Sequence, residues 1–285
     1  MTDVVVQVSD PHFGTERTEV VEALVDWVRA QSPTLLVVSG DVTQRARAAQ
    51  FEAARAFVGR LGTAPSIVIP GNHDIPLFDV ASRLLRPYAR FRRAFGEVLE
   101  PVHASPSLLA LAVLTTRRAR HVDGAVSRVQ SERIAGRLRA AMPGQLRLVV
   151  THQPVLTVRP QDARDRLHGA ERAVRRWVEA GVDLVLGGHI HLPYVAPLHG
   201  WIDGLPRRAY AVQAGTAVSS RVRHEAGNSV NLIRWNGGDG CGHRRCVVER
   251  WDHAAGRGAF ERVASDTLEL DRPPVPAAGF SASPA

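Results

Sequence analysis

Aspartate, asparagine and histidine recur in five short motifs along the chain. In order, the motifs are Asp10-Pro11-His12, Gly40-Asp41, Gly71-Asn72-His73-Asp74, Thr151-His152 and Gly188-His189-Ile190-His191. Carboxylate and amide oxygens combined with imidazole nitrogens suit Mn, Fe or Zn better than Ca or Mg. The motifs contain no thiolate ligand, which argues against a closed structural zinc site. Together they predict a metal site built from oxygen and nitrogen ligands.

Each motif alone also has an ordinary structural interpretation. An aspartate at a strand end, such as Asp10 or Asp41, most often caps a helix or stabilises a turn. A single histidine, such as His103 or His168, is most often a surface or hydrogen-bonded polar residue. These interpretations do not explain why five successive motifs all carry potential ligands, so we favour one shared metal site. For Asp74 the helix-cap interpretation stays open.

The motifs follow short β-branched runs that predict buried strands. These runs are Val4–Val8, Leu35–Ser39, Ser66–Ile69, Leu146–Thr151 and Leu184–Leu186, and a further run covers Leu109–Thr115. Open α/β sheets bind their ligands beyond the carboxyl ends of the strands. We therefore expect the five motifs to meet at one edge of the sheet structure.

Amphipathic helical patterns alternate with the strands and predict an α/β fold. The helical patterns cover Thr18–Ala30, Ala46–Leu61, Asp79–Phe95, Gln130–Ala141 and Ala170–Ala180. After residue 205, a run of antiparallel strands is predicted at Tyr210–Ala214, Val230–Trp235 and Val247–Trp251. We expect one domain over residues 1–252 and a C-terminal extension over residues 253–285, whose Pro/Ala/Ser-rich end is predicted to be flexible.

The order of the five motifs resembles that of the calcineurin-like metallophosphoesterases over residues 4–235. The sequence SGDVTQ around Asp41, and Gly124 with Gln130 before a helix, look most like the bacterial class of cyclic-nucleotide phosphodiesterases. The resemblance implies a four-layer αββα sandwich, with two mixed sheets flanked by helices. It agrees with the alternation of strands and helices in the sequence.

The resemblance also implies a binuclear centre of two divalent or trivalent transition metals (Mn, Fe or Zn). The first metal would be bound by Asp10, His12, Asp41 and His191. The second would be bound by Asp41, Asn72, His152 and His189, with Asp41 bridging both. A metal-bridging hydroxide would then attack phosphorus in line with the leaving group. His73 would stabilise charge or protonate the leaving oxygen, and Asp74 would hydrogen-bond His73 and fix its tautomer.

Two basic segments have two interpretations each. The segment Leu77–Phe95 could cap the site, binding an acyl chain through apolar residues and phosphate through Arg83 or Arg86. Alternatively it is an amphipathic helix docked on the sheet with a solvated basic face, which we favour. Arg221 and Arg223 either contact the substrate phosphate or hold the last hairpin in place.

Composition limits the classes of function. The formal net charge is +8 and every basic residue counted in it is arginine, which suits an anionic substrate but does not by itself indicate a nucleic-acid binder. No apolar run approaches the about 18 residues that span a bilayer, which leaves only peripheral membrane contact open. The cysteines Cys241 and Cys246 form no disulfide framework, and CGHRRC lacks a second ligand pair for a zinc knuckle. We therefore expect a cytoplasmic protein.

The leading functional prediction is a binuclear-metal phosphodiesterase that acts on a small phosphate ester such as a cyclic nucleotide. A pyrophosphohydrolase of the UDP-diacylglucosamine type and a nuclease are the alternative enzymes. A scaffold without activity is disfavoured because every ligand position is filled. The sequence gives no indication of the oligomeric state.

Overall fold

Two six-stranded sheets stack face to face within residues 2–119, 122–223, 225–237 and 244–271, which the computed structural model describes. The strands are β1 (Asp3–Val8), β2 (Leu35–Val38), β3 (Ser66–Val68), β4 (Val102–Ala104), β5 (Leu108–Ala112), β6 (Leu146–Val150), β7 (Leu184–Gly187), β8 (Tyr194–Pro197), β9 (Tyr210–Gln213), β10 (Ser229–Trp235), β11 (Arg244–Ala254) and β12 (Ala259–Leu270). The helices are α1 (Thr18–Gln31), α2 (Ala48–Arg60), α3 (Val80–Leu85), α4 (Ala89–Phe95), α5 (Arg128–Arg139) and α6 (Ala170–Glu179).

Both sheets are mixed. The first has the strand order β12-β11-β10-β1-β2-β3, with β1, β2 and β3 parallel and the other pairs antiparallel. The second has the order β4-β5-β6-β7-β9-β8, with a parallel centre and an antiparallel strand at each edge. The parallel strands of both sheets therefore direct their carboxyl ends to the edge where the motifs were predicted to meet.

Three apolar layers hold the sandwich together. One lies between the sheets and includes Val5, Val37 and Leu148. The other two lie outside: α1 and α2 cover the first sheet, and α5 and α6 cover the second. Because the central strands are covered on both faces, they consist of continuous apolar runs rather than alternating ones. This arrangement confirms the predicted four-layer αββα fold.

The prediction of one continuous helix over Asp79–Phe95 is wrong, and only its second half docks on the core. The chain forms two short helices, α3 and α4, with the break at Arg86 and Pro87. Proline lacks a donor N–H and moves the preceding residue out of the helical region, and Arg86 has φ −143°. Helix α4 buries Phe91 against α2, whereas no residue of α3 is buried.

Three strands were missed, and one was given the wrong neighbours. Strands β4 and β8 are short edge strands, and β12 is mostly exposed and polar, so none of them has a strong apolar pattern. Strand β9 was predicted to be part of an antiparallel run, but it pairs in parallel with β7 in the second sheet. The predicted domain boundary after residue 252 falls inside β11, and the predicted flexible end at residues 272–285 lies outside the described residues.

No helix in the described part of the chain is long and apolar enough to cross a membrane.

Candidate metal centre

The motif residues come together at the shared carboxyl edge of the two sheets. Asp10 and His12 follow β1, Asp41 follows β2 and Asn72 follows β3. His152 follows β6, while His189 and His191 follow β7. Two groups of predicted ligands have ligand atoms within 4.8 Å of one another: Asp10 with His12 and His191, and Asp41 with His152 and His189. A third group at the same spacing joins His12 and Asp41 to His73.

Five of these residues have the left-handed backbone conformation, which is rare for residues other than glycine. Their positive φ angles are 50° at Asp10, 46° at His12, 46° at Asp41, 73° at His189 and 54° at His191. Each such conformation costs on the order of 1–3 kcal/mol and persists where the surrounding structure enforces it. The sharp turns allow one strand end to direct two candidate ligands to the cluster, as Asp10 and His12 do after β1. They also allow a backbone N–H to bond a candidate ligand, as that of His189 does with Asp10.

The first group surrounds the Nε2 atom of His12. This atom lies 3.0 Å from His191 Nε2 and 3.8 Å from Asp10 Oδ1. The other oxygen of Asp10 accepts hydrogen bonds from the Ser9 hydroxyl at 2.6 Å and the His189 N–H at 2.9 Å. The carboxylate is therefore held by one oxygen, and its second oxygen faces the two imidazoles.

Asp41 lies between the two groups. Its Oδ2 is 3.7 Å from His12 Nε2 and 3.4 Å from His152 Nε2. Asn72 completes the second group, with its Oδ1 3.1 Å from His152 Nε2. A single carboxylate oxygen of Asp41 therefore faces both groups.

Backbone carbonyls fix the orientation of three imidazoles. Nδ1 lies 2.9 Å from the Ser39 carbonyl in His152 and 2.6 Å from the Arg221 carbonyl in His191. A carbonyl can only accept, so each Nδ1 carries the proton and each Nε2 faces the cluster. His73 is held in the same manner, with Nδ1 2.9 Å from the carbonyl of Gln44.

The buried environment separates the histidine pKa values. Burial lowers the pKa of both His12 and His189 to about 3, which keeps these rings neutral. Burial also disfavours charge on His152, but Asp41 outweighs it and raises the pKa of His152 to about 9. For Asp10, burial opposes ionisation, yet the nearby imidazole of His191 lowers its pKa to about 2. The carboxylate is thus ionised, and a cation would replace the proton on His152 because coordination needs neutral imidazole.

Unpaired polar atoms provide a test of whether these residues suit metal ions. Within the described residues, three polar atoms of the candidate ligands are buried without a hydrogen-bond partner, namely Asp10 Oδ1, His12 Nδ1 and His189 Nδ1. Buried polar atoms are normally paired, since leaving one unpaired costs about 1–3 kcal/mol. Asp10 Oδ1 faces the imidazoles of His12 and His191, so the arrangement fits a cation between these three residues.

The hydrogen bonds of the Asp74 carboxylate in the described structure go to partners other than the His73 ring that the resemblance implied. Among the residues described, its carboxylate accepts from the N–H groups of Val42, Thr43 and Gly71 at 2.8–3.0 Å and from the Thr43 hydroxyl at 2.8 Å. These donors satisfy both carboxylate oxygens and leave the imidazole to the Gln44 carbonyl. Asp74 therefore ties the loop after β2 to the loop after β3. Burial and the Asp41 charge raise the pKa of Asp74 to about 7.

Two glycines allow the ligand loops to approach one another. A Cβ at Gly40 would lie 2.3 Å from His152 Nδ1, and its φ of 104° also disfavours other residues. A Cβ at Gly71 would lie 2.1 Å from Asp41 Oδ1. Larger residues at either position would displace a ligand directly.

A polar cavity of about 330 Å³ opens over the cluster. Its lining residues are Asp41, Asn72, His73, Val122, Asp162, Arg164, Asp165, His189, Ile190, His191, Arg221 and Arg223. Four of them, Val122, Asp162, Arg164 and Asp165, were not predicted from the sequence. Val122 lies in a loop and the other three lie in a 3-10 helix over Pro160–Asp165, and no strand-end motif marks them.

Arg221 and Arg223, which have two interpretations each from the sequence, make different contacts in the structure. Arg223 donates to Asp162 at 3.0 Å and to the Ile190 carbonyl at 3.1 Å, so it holds the loop that carries His189 and His191. The guanidinium of Arg221 lies 2.9 Å from Gln44 Oε1 and 3.2 Å from His73 Nε2. Arg221 therefore sits against the non-ligand histidine, while Arg223 supports the ligand loop.

Comparison with known proteins gives a family match and a curated relative. A model of the calcineurin-like phosphoesterase family matches residues 4–193. A probable cyclic nucleotide phosphodiesterase of Synechococcus is 29% identical over 207 residues, which cover 68% of this chain and 76% of the relative.

Solved structures resemble the fold at low sequence identity. Purple acid phosphatase PPD1 from yellow lupin (Lupinus luteus) has a TM-score of 0.68 at 12% identity over 95% of this chain. The match spans only 54% of the lupin chain. Vacuolar Protein Sorting 29 from Cryptosporidium parvum has a TM-score of 0.50 at 13% identity, over 94% of this chain and 98% of its own. These structures support the sandwich architecture.

Proposed function

Because the chain belongs to the calcineurin-like phosphoesterase family, we propose that it hydrolyses a small phosphodiester, with cyclic nucleotides as the nearest precedent. The chain is a metal-dependent phosphoester hydrolase. The observation that carries the narrower proposal is the convergence of two ligand groups on Asp41, beneath a small polar cavity that contains arginine.

We assign the residues to two metal positions as the family resemblance implies. Asp10, His12 and His191 would hold one ion, and His152, His189 and Asn72 would hold the other, with Asp41 Oδ2 between them. We propose Mn, Fe or Zn, because the ligands are nitrogen and oxygen atoms without thiolate. Bound there, two such ions supply an activated water and neutralise the phosphoryl charge.

His73 is placed to handle the proton of the leaving oxygen. Its Nδ1 donates to the Gln44 carbonyl, so the proton that can exchange is the one on Nε2. Its backbone N–H donates to Asp41 Oδ1 at 2.7 Å, which couples the position of the ring to the bridging ligand. In this arrangement Nε2 accepts from the Arg221 guanidinium; once that guanidinium has turned to the phosphate, a proton carried by Nε2 would pass to the departing alkoxide.

The Arg221 guanidinium would bind a phosphoryl oxygen beside His73. It lines the cavity and lies within hydrogen-bond distance of both Gln44 and His73. Arginine forms bidentate contacts with phosphate, which fixes both the charge and the orientation of the ester. Arg223 is engaged by Asp162, so its contribution is to the position of the ligand loop.

The size of the cavity favours a small substrate. A volume of about 330 Å³ is at the lower end of ligand pockets, whose usual range is about 300–1,000 Å³. The apolar groups among its lining residues are few, so little in the cavity would hold an acyl chain. The curated relative adds support, since it is named a probable cyclic nucleotide phosphodiesterase.

A substrate panel with the Mn-loaded protein tests the proposal. Its members are a bis-aryl phosphodiester, an aryl monoester, a cyclic nucleotide and UDP-diacylglucosamine. We expect turnover of the aryl diester and the cyclic nucleotide, with Arg221→Gln raising KM for both. Efficient hydrolysis of the UDP-lipid, with no turnover of any cyclic nucleotide, would overturn the proposal. The location in the cytoplasm stays a prediction.

A further inference from the structure

Four large apolar side chains are exposed within eight consecutive residues of the segment that follows the metal-ligand loop. They are Phe78, Val80, Leu84 and Leu85, with exposures between 52% and 81%. We call these four residues the apolar tip. Val80 and Leu84 lie one helical turn apart on the same face of α3, and no residue of that helix is buried. Exposed apolar residues grouped in this manner mark interaction surfaces more often than isolated ones do.

The apolar tip is surrounded by positive charge. The segment 75–95 contains five arginines and one aspartate, a net charge of +4. The single aspartate, Asp79, accepts from Arg90 at 2.9 Å and caps α3 through the Ser82 N–H, so its charge is offset within the segment. Arginines from elsewhere in the chain add to the surface: Arg45 lies 5.8 Å from the ring centre of Phe78, and Arg118 donates to the Leu84 carbonyl.

The tip is linked to the catalytic cavity through a short path. Arg45, which contacts the Phe78 ring, follows Gln44, and the Gln44 carbonyl holds His73. The chain itself reaches the tip four residues after Asp74. A surface bound at the tip would therefore lie beside the catalytic loops, where it could affect how substrate arrives.

We propose that the apolar tip and its arginines dock the protein on an anionic membrane surface. Exposed apolar residues flanked by arginines suit insertion at the boundary between headgroups and acyl chains, with the guanidinium groups at the level of the phosphates. A protein partner with an acidic rim or a second copy of this chain would need its own complementary groove. The net positive charge around the tip disfavours a second copy, because two tips would bring like charges together.

Co-sedimentation of the full chain with vesicles tests this proposal. The vesicles contain phosphatidylcholine mixed with phosphatidylglycerol, or phosphatidylcholine alone. We expect binding to the mixed vesicles, weaker binding to phosphatidylcholine alone, and a decrease with added salt because the charges are exposed.

Two variants separate the apolar and the charged contributions. Phe78→Ser/Leu84→Ser/Leu85→Ser should weaken partition by at least about tenfold, because three inserted side chains return to water. Arg86→Gln should weaken it about fivefold, the effect of one basic residue near an anionic surface. The matched controls are Val129→Ser/Met142→Ser/Val263→Ser and Arg128→Gln, which alter exposed residues on other elements. Both controls should bind as the unaltered protein does.

Three results would overturn the proposal. The first is no binding of the unaltered protein to mixed vesicles. The second is equal loss of binding in the apolar triple variant and its matched control. The third is self-association in solution that the triple variant abolishes, because a second copy would then cover the tip. Turnover of a soluble aryl diester should be the same in all variants, and this shows that each one is folded. Failure of vesicle binding leaves the diesterase proposal intact.

Discussion

Two buried polar clusters lie at opposite ends of the strands of the second sheet, one at the carboxyl ends and one near the amino ends. They differ in whether hydrogen-bond donors face acceptors. The cluster at the carboxyl edge contains Asp10, Asp41 and four histidines whose ring nitrogens and carboxylate oxygens face one another. The cluster near the amino edge centres on Asp183, which is fully buried just before β7. Both contain ionisable groups that would be costly to bury alone.

In the amino-edge cluster, donors meet acceptors. Arg207 and Arg244 each donate to the Asp183 carboxylate, at 3.2 Å for Arg207 and at 2.9 and 3.0 Å for Arg244. The backbone N–H of Arg147 donates to it as well, at 3.0 Å. Remaining guanidinium nitrogens bond backbone carbonyls such as that of Asp271, although the Nε atoms have no acceptor among the described residues.

In the carboxyl-edge cluster, imidazole nitrogens and carboxylate oxygens, which are all potential acceptors, face one another. With Nδ1 of His152 and His191 donating to carbonyls, the atoms that face one another are Nε2 atoms and carboxylate oxygens, and the raised pKa of His152 (about 9) keeps a proton on its Nε2 beside Asp41 at neutral pH. Such atoms repel one another unless a proton or a cation lies between them. The comparison shows that complementary pairing marks the structural cluster, whereas convergent acceptors on strained backbone mark the metal cluster.

Asp41→Asn is the change with the largest expected effect. The amide has no charge to offset two cations, so both metal positions should weaken at once. Removal of one charge-stabilising group costs about 10²–10³-fold in turnover, and we expect a larger loss here. Steady-state kinetics on the aryl diester, together with metal content, measure the effect. Near-normal turnover with two bound metals would show that Asp41 is not the shared ligand.

His73→Ala separates the proton donor from the ligands. His73 lies near His12 and Asp41, close enough to be a ligand by distance alone. We expect both metals to be retained and turnover to fall about 10²–10⁴-fold, as for a positioned acid. If the variant loses metal together with activity, His73 acts as a ligand and the assigned role is wrong.

Asp183→Asn should reduce the folding stability rather than the metal content. Removing the charge leaves two buried guanidinium groups without their counter-ion, and breaking such a pair costs about 3–5 kcal/mol of folding free energy. Chemical denaturation measures the loss, and the metal content of the folded protein should not change. Loss of metal at unchanged stability would remove the distinction between the two clusters.

Asp74→Asn has the smallest expected effect. The amide offers one acceptor in place of two and directs its own donors toward N–H groups of Val42, Thr43 or Gly71. We expect a stability loss of about 1–3 kcal/mol. Turnover should fall about 10–100-fold, because the loops that carry Asp41 and Asn72 are less well positioned. A turnover loss as large as that of His73→Ala, with stability unchanged, would restore the direct role that the resemblance implied.

The sequence predicts the architecture well where a strand is buried on both faces. Runs such as Leu35–Val38 and Leu146–Val150 have a strong apolar signal because helices and the partner sheet cover them. The signal disappears in β12, where polar residues face solvent and only the pairing with β11 defines the strand. The break in the helix at Pro87 was readable from the proline, but the exposure of α3 depends on what packs against it.

The candidate ligands could be predicted from the sequence because they follow predicted strands and several lie beside glycines. The partners of His73 and Asp74 could not be predicted, because most of them are backbone groups on the loop after β2, which is distant in the chain. Gln44 offers its carbonyl and Thr43 its N–H, and neither contribution depends on a side-chain type that a motif could reveal. The role of Arg221 is likewise shared between its carbonyl, which orients His191, and its guanidinium.

The most direct test of the binuclear site is the metal content of the purified protein after titration with Mn. Elemental analysis of the unaltered chain should give two transition-metal ions per chain, and Asp183→Asn should give the same number. Asp41→Asn should give fewer than one. A stoichiometry near one for the unaltered chain, with no second ion at saturating Mn, would contradict the account of two groups joined by Asp41.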